Sequence, residues 1–95
     1  MRNNTITWSA ESITILEDIL DYIYAEWGIN PVIDFQIALN SLLKAICKNH
    51  RLCPASKVIG FRKCVLSKQT SLIYRFSKSE LEIITFIDNR SNHLY

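Results

Sequence analysis

The stretch Trp27-Gly28-Ile29-Asn30-Pro31 divides the first half of the chain into two helices. Upstream, Ile13, Leu16, Leu20, Ile23 and Trp27 recur at steps of three and four, the spacing of one apolar helix stripe. Ser9 supplies a hydroxyl able to cap that helix, and Glu11 places a negative charge in its first turn. Gly28 suits the left-handed position that closes a helix. Asn30 and Pro31 then give a capping side chain followed by a proline in the first turn of the next helix. Its stripe is Val32, Phe35, Leu39, Leu42 and Ile46, with Gln36, Asn40, Lys44, Lys48 and Arg51 turned outward. With only two or three residues between them, the helices are predicted to form an antiparallel hairpin.

Two apolar stripes need a second layer, and the rest of the chain supplies a sheet. After a connecting loop at residues 51–57, apolar runs span Val58 to Leu66, Ser71 to Ser77 and Leu81 to Asp88. They are rich in Ile, Val, Phe and Tyr and are joined by the polar turns SKQT and SKSE, the pattern of an antiparallel meander. The last run is apolar on both faces for part of its length, which fits a central strand. Thr5-Ile6-Thr7-Trp8 alternates and adds a fourth strand before the helices. The expected fold is therefore α+β: strand, helix, helix and a three-strand meander, with the helical hairpin packed on one sheet face.

A length of 95 residues fits one domain over 1–95, and a hydrophobic fraction of 48% with two glycines and two prolines fits a compact chain. No apolar run approaches the ~18 residues of a membrane span. The opening MRNNTITW lacks the apolar centre of a secretory signal, so a cytoplasmic location is expected.

Cys47, Cys53 and Cys64 cannot all pair within one chain, and reduced thiols are the plain expectation. An alternative is a zinc site from Cys47, His50 and Cys53, which are evenly spaced, with Cys64 or His93 as fourth ligand. Against it, Cys47 occupies an apolar position of the second helix and Pro54 ends the helix near Cys53; no metal or other cofactor is expected.

Charge is uneven beneath a net +2. Residues 1–43 carry one base, Arg2, and six acids, whereas residues 44–95 carry ten bases and three acids. A basic working surface on the C-terminal half would face nucleic acid or an acidic protein. Its arginines have plainer readings too. Arg62 can pair with Glu82 across strands, Arg75 can occupy a solvated face, and Arg90 can bond Asp88. His93 and Tyr95 sit at a terminus, where order is least expected.

The ordered set Trp8-Ser9, Leu16, Ile19, Tyr22-Ile23, Gly60-Phe61-Arg62-Lys63, Leu72-Ile73-Tyr74-Arg75-Phe76 and Ile83 to Arg90 resembles the RelE/ParE superfamily of type II toxins over nearly the whole chain. The resemblance implies a small growth-inhibiting toxin of the plasmid-stabilization kind, neutralised by a cognate antitoxin. RelE-like members cut mRNA on the ribosome, whereas ParE-like members poison DNA gyrase. For a nuclease, the resemblance implies Arg62 and Arg90 as phosphate clamps and His93 or Tyr95 as proton carriers. Lys57 alone stands where RelE-like enzymes carry paired lysines before the second strand, and Tyr95 lies one residue nearer the arginine than in those enzymes. That thin set favours the ParE-like branch, with mRNA cleavage as the alternative and a decayed, non-toxic antitoxin-binding domain as a third. Lys44, Lys48, Arg51, Lys57, Lys63 and Arg75 are then expected to bind the antitoxin or the target.

Overall fold

The computed structural model describes residues 5–91 and 93–95, so the charge of Arg2 and the leader expectation at residues 1–4 lie outside the described residues. The elements are β1 (Thr5–Trp8), α1 (Ala10–Trp27), α2 (Ile29–Lys48), β2 (Arg62–Val65), β3 (Thr70–Ser77) and β4 (Glu80–Asp88). This is the expected α+β order. The sheet runs β1-β4-β3-β2, with β1 parallel to β4 and the other pairs antiparallel. A parallel pair requires a long crossover, and the helical hairpin provides it. The central position expected for the last strand is the one found.

Ser9 sets the start of α1. Its backbone is extended and its Oγ accepts from the Ser12 N–H at 3.0 Å. The same hydroxyl donates to the Ile84 carbonyl at 2.6 Å, and the Ser9 N–H donates to Ile83 at 3.0 Å, so the cap also ties the helix to β4. That tether fixes the rotation of α1 and corrects the expected stripe. Ser12 is fully buried and Ile15, Leu16 and Ile19 pack on the core, whereas Ile13 and Trp27 are 47% and 57% exposed.

The hinge between helices is also tighter than expected. Gly28 alone separates them, at φ +88°, a conformation that side-chain-bearing residues rarely adopt. Helix α2 starts at Ile29 without a side-chain cap, so Asn30 lies inside its first turn. Pro31 is tolerated there because first-turn N–H groups have no partner within the helix. Val32, Phe35, Leu39, Leu43 and Ile46 are buried, with Leu42 packed at the edge of the core, and the predicted outward residues are exposed.

Strand β2 is shorter than the expected Val58 to Leu66. Residues 58–61 turn instead, with Gly60 at φ +89°, Ile59 98% exposed and the Phe61 N–H bonded to the Val58 carbonyl at 3.1 Å. The β3–β4 turn is closed by Lys78 and Ser79, both at positive φ, the backbone twist that two-residue hairpins favour. A bulge at Ile73/Tyr74 against Ile83 and Thr85 leaves Ile84 unpaired with β3. The β2–β3 pairing is unaffected, so Arg62 stays opposite Tyr74 and shares its face, toward the helices.

On that covered face Cys64, Leu72 and Phe86 lie in one row, and Tyr74, Ile83 and Trp8 in the next. They meet Leu39, Leu43 and Ile46 of α2. The reduced-thiol expectation is corrected here: Cys53 and Cys64 form a disulfide, with Cα atoms 5.3 Å apart. The loop returns along β2, with Lys63 N–H bonded to the Pro54 carbonyl at 3.1 Å and Ala55 bridged to Arg62, which brings the two sulfurs together. Both sulfurs being used, the zinc alternative loses two of its ligands. Among the described residues no group of three His, Cys, Asp or Glu side chains is placed to hold a metal. No helix among them is long and apolar enough to cross a membrane.

Candidate functional site

The basic residues picked out from the sequence fall into three separate places. Arg90 follows β4 and is folded onto Asp88, with Nε to Oδ1 at 3.1 Å, Nη2 to Oδ2 at 2.9 Å and its own N–H to Oδ1 at 2.9 Å. Those bonds hold the Asp88 carboxyl down at about 2, the side-chain bond being the larger cause. Asn89 locks the same corner: its N–H donates to the Gln69 carbonyl at 2.7 Å and its amide to Ser67 and Lys68 at 3.2 Å.

Beside this corner a groove of about 420 Å³ runs between α1 and the end of β4, lined by Ile15, Ile19, Tyr22, Thr70 and Ile87. It shares Ile23, Phe35, Ser67 and Gln69 with a second recess of about 410 Å³ that extends to Trp27 and Lys68. The two form one apolar channel along the helical hairpin. Tyr22 and Trp27 stand at its rim in edge-to-face contact, ring centres 5.8 Å apart, both more than half exposed. Aromatic residues of this kind commonly anchor protein interfaces. Sequence reading assigned Trp27 to packing, because an apolar helix residue carries no mark of which way its helix is rotated.

Arg62 lies toward the other end of the sheet. It is paired with Tyr74, whereas Asp88 is paired with Thr70, four residues along β3, roughly 13 Å at the rise of a strand. Its Nη1 donates to the Cys53 carbonyl at 2.7 Å. Arg62 and Arg90, expected together as phosphate clamps, are thus not brought together. Around Arg62 a cleft of about 390 Å³ is lined by His50, Arg51, Ala55, Gly60, Phe61 and Phe76. The His50 and Phe76 rings are stacked, and the Tyr74 hydroxyl donates to the His50 carbonyl at 2.8 Å. Burial, the largest cause, pushes that hydroxyl above its ordinary value of 10.0. The neutral form is favoured in the folded chain, so stability is complete below pH 10 and falls as the pH rises above it. In an absorbance titration the Tyr74 hydroxyl should ionise at a higher pH in the folded chain than in the unfolded one; ionisation at the same pH in both would contradict the buried bond.

The third place is the open side of the sheet. Arg75 pairs with Glu82 at 2.6 Å, taking the partner expected for Arg62, because the register sets Arg75 directly across from Glu82. Its guanidinium also lies 5.8 Å from the Phe61 ring centre. Tyr95 stacks near Phe61 at 6.2 Å and accepts a backbone bond from Lys57 at 3.1 Å, so the C-terminus is held here and not beside Arg90. The His93 ring is 6.5 Å from Tyr95, and its Nδ1 is buried with no partner among the described residues. Lys63 is half-buried on β2, while Lys44, Lys48, Arg51 and Lys57 are exposed.

This combination of crossover hairpin and four-stranded sheet is the fold of the RelE/ParE toxins. The chain is similar to the chromosomal ParDE toxin–antitoxin system of P. aeruginosa, at 18% identity over 90% of this chain and 95% of that one, with a TM-score of 0.74. A copper-bound mutant toxin from Helicobacter pylori matches at 16% identity over 92% and 96%, with a TM-score of 0.70. The YoeB–YefM complex of Staphylococcus aureus matches at 17% over 90% and 97%, with a TM-score of 0.62. No family model matches the sequence, and no curated protein does.

Proposed function

We propose that the chain is the toxin of a type II toxin–antitoxin pair, neutralised by a cognate antitoxin, and that it acts as a ParE-like inhibitor of DNA gyrase. The observation that carries the non-nuclease reading is the dispersal of its arginines. Metal-free RNA cleavage needs a cation and proton carriers converging on one phosphate. Here Arg90 is spent on Asp88 at one end of the sheet, and at the other end Arg62 is bonded to Cys53 and Arg75 to Glu82 on opposite faces. A binding surface has no such requirement.

The antitoxin is inferred to lie in the apolar channel between the helical hairpin and the β2–β3 turn, where Tyr22, Trp27 and Phe35 offer anchors. Basic residues outside the channel (Lys44, Lys48, Arg51, Lys57, Lys63 and Arg75) would receive acidic parts of the antitoxin or the target. A segment that folds on binding suits so extended a surface. Gyrase is a cytoplasmic target, which makes the cytoplasm the proposed place of action.

The second reading is ribosome-dependent mRNA cleavage, favoured by the grouping of Tyr95 and Arg75 at Phe61, with His93 beside Tyr95. The two separate at Arg90. If cleavage used that guanidinium, Arg90→Ala would lose about 3–4 kcal/mol of transition-state stabilisation, a reduction of roughly 150- to 900-fold. The gyrase reading predicts that neither the wild type nor Arg90→Ala cuts mRNA in a translation extract, and that expression of the wild type still arrests growth. Cleavage by the wild type that vanishes in the variant would overturn it. Growth arrest relieved by co-expressing a cognate antitoxin tests the wider proposal, and unimpeded growth would reject it in favour of the decayed, non-toxic domain.

A further inference from the structure

The Cys53–Cys64 bond stands at the head of a short chain of contacts that reaches the other end of the sequence. Cys53 lies in the loop after α2 and Cys64 in β2, and the bond fastens one to the other. Beyond the loop, the Ser56 N–H donates to the Phe61 carbonyl at 2.8 Å and the Val58 N–H to Ser56 Oγ at 2.8 Å, which closes a turn over residues 56–61. Residues 93–95 rest on that turn. The Lys57 N–H donates to the Tyr95 carbonyl at 3.1 Å, and the Tyr95 and Phe61 rings stack 6.2 Å apart. His93 lies beside Tyr95 with its Nδ1 shielded from solvent. Residues 93–95 belong to no helix or strand, so their place follows that of the loop and turn.

The root of the loop is held by bonds that involve no sulfur. The Tyr74 hydroxyl donates to the His50 carbonyl, Arg62 to the Cys53 carbonyl and the Lys63 N–H to the Pro54 carbonyl. Breaking the disulfide therefore loosens the loop while the sheet and the helical hairpin stay folded, a local opening of the kind a switch needs. The two sulfurs also differ in access. Cys64 is 1% exposed and Cys53 9%, so an attacking thiol reaches Cys53 first. In a reducing cytoplasm, a disulfide is commonly transient and redox-sensing. That setting rests on the proposed cytoplasmic action; the contacts from the sulfurs to Tyr95 do not.

We propose that the Cys53–Cys64 bond is a redox latch for the C-terminal segment. The oxidised chain holds residues 93–95 against the turn. The dithiol chain releases them and uncovers Phe61, beside which the Arg75 guanidinium lies. Release is a two-electron reduction by glutathione or by a dithiol protein. The reductant's thiolate attacks Cys53 Sγ, the S–S bond breaks, and Cys64 leaves as a thiolate that takes up a proton. A second reductant thiolate then displaces Cys53 from the mixed disulfide, which gives two protein thiols and one oxidised reductant.

Nuclear magnetic resonance of the full, isotope-labelled chain, oxidised and then reduced with glutathione, tests the latch. Reduction should drop the heteronuclear NOE of the His93 and Tyr95 amides from strand-like values to those of a free terminus. It should also speed exchange of the Lys57 amide roughly tenfold or more. Cys53→Ser combined with Cys64→Ser should show the released state with or without glutathione, and Cys47→Ser should respond as the wild type does. Leu72→Ala kept oxidised separates a latch from general weakening: it loses core packing remote from the tail, yet residues 93–95 should stay held. Equal order of residues 93–95 in the oxidised and reduced chains would overturn the proposal. So would release in oxidised Leu72→Ala, loss of the response in Cys47→Ser, or a bond that survives a large excess of reduced glutathione.

Discussion

Leu72→Ala is expected to lower the free energy of unfolding by about 3–4 kcal/mol. Leu72 is fully buried at the middle of β3, with Cys64 on one side and Phe86 on the other in the same cross-strand row. That row is the sheet's contact with Leu39, Leu43 and Ile46 of α2. Truncation removes apolar surface that folding had buried and leaves a cavity whose walls cannot close. One wall is pinned by the disulfide at Cys64 and another by the central strand. The loss is a large part of the roughly 5–14 kcal/mol typical of a chain this size. Urea unfolding should show a lower midpoint with an unchanged slope. Val65→Ala, on the same sheet but 70% exposed, should stay within about 0.5 kcal/mol and serves as the control. Equal losses in the two variants would contradict the placement of the core.

Reducing the Cys53–Cys64 bond is expected to cost about 2–3 kcal/mol, the loop-closure value for a cross-link of this span. The bonded residues are 11 apart in sequence. The loop keeps other fastenings, namely Arg62 to the Cys53 carbonyl, Tyr74 to the His50 carbonyl and the β2 bridge. The reduced chain should therefore stay folded at neutral pH with a lower unfolding midpoint, and amide exchange should rise first at residues 50–57. Disulfides are uncommon in a reducing cytoplasm, so the state of this bond in cells bears on the proposed compartment. A midpoint unmoved by dithiothreitol, with both thiols verified as free, would contradict this account.

Much of the fold was legible because local chemistry and global packing agree. Ser9 reads as a cap and is one, Gly28 reads as a helix stop and is one, and the polar turns separate strands that pair in order. What was misread depends on contacts distant in sequence. Ile13 and Trp27 fit the helical period, but the bonds from Ser9 to Ile83 and Ile84 set the rotation of α1 and leave both exposed. Asn30 has the chemistry of a cap, yet the hinge needs only Gly28. Cys53 and Cys64 carry no spacing signal, since their meeting depends on the loop doubling back along β2.

The candidate residues were harder still. Composition exposed the basic half of the chain, but no local pattern could show that Arg62 turns to Cys53 while Arg90 turns to Asp88. His50, Phe61 and Phe76 escaped notice as a group because they come from the end of α2, a turn and the end of β3. Only the folded chain, which stacks the His50 ring on Phe76, brings them together.

The central claim is that this chain acts by binding a target and not by cutting RNA. Purified chain tested side by side in a gyrase supercoiling assay and in a translation extract addresses it most directly. The account predicts loss of supercoiling with mRNA left intact, and restoration of supercoiling when the cognate antitoxin is added. Unimpaired supercoiling together with ribosome-dependent mRNA cleavage would contradict it.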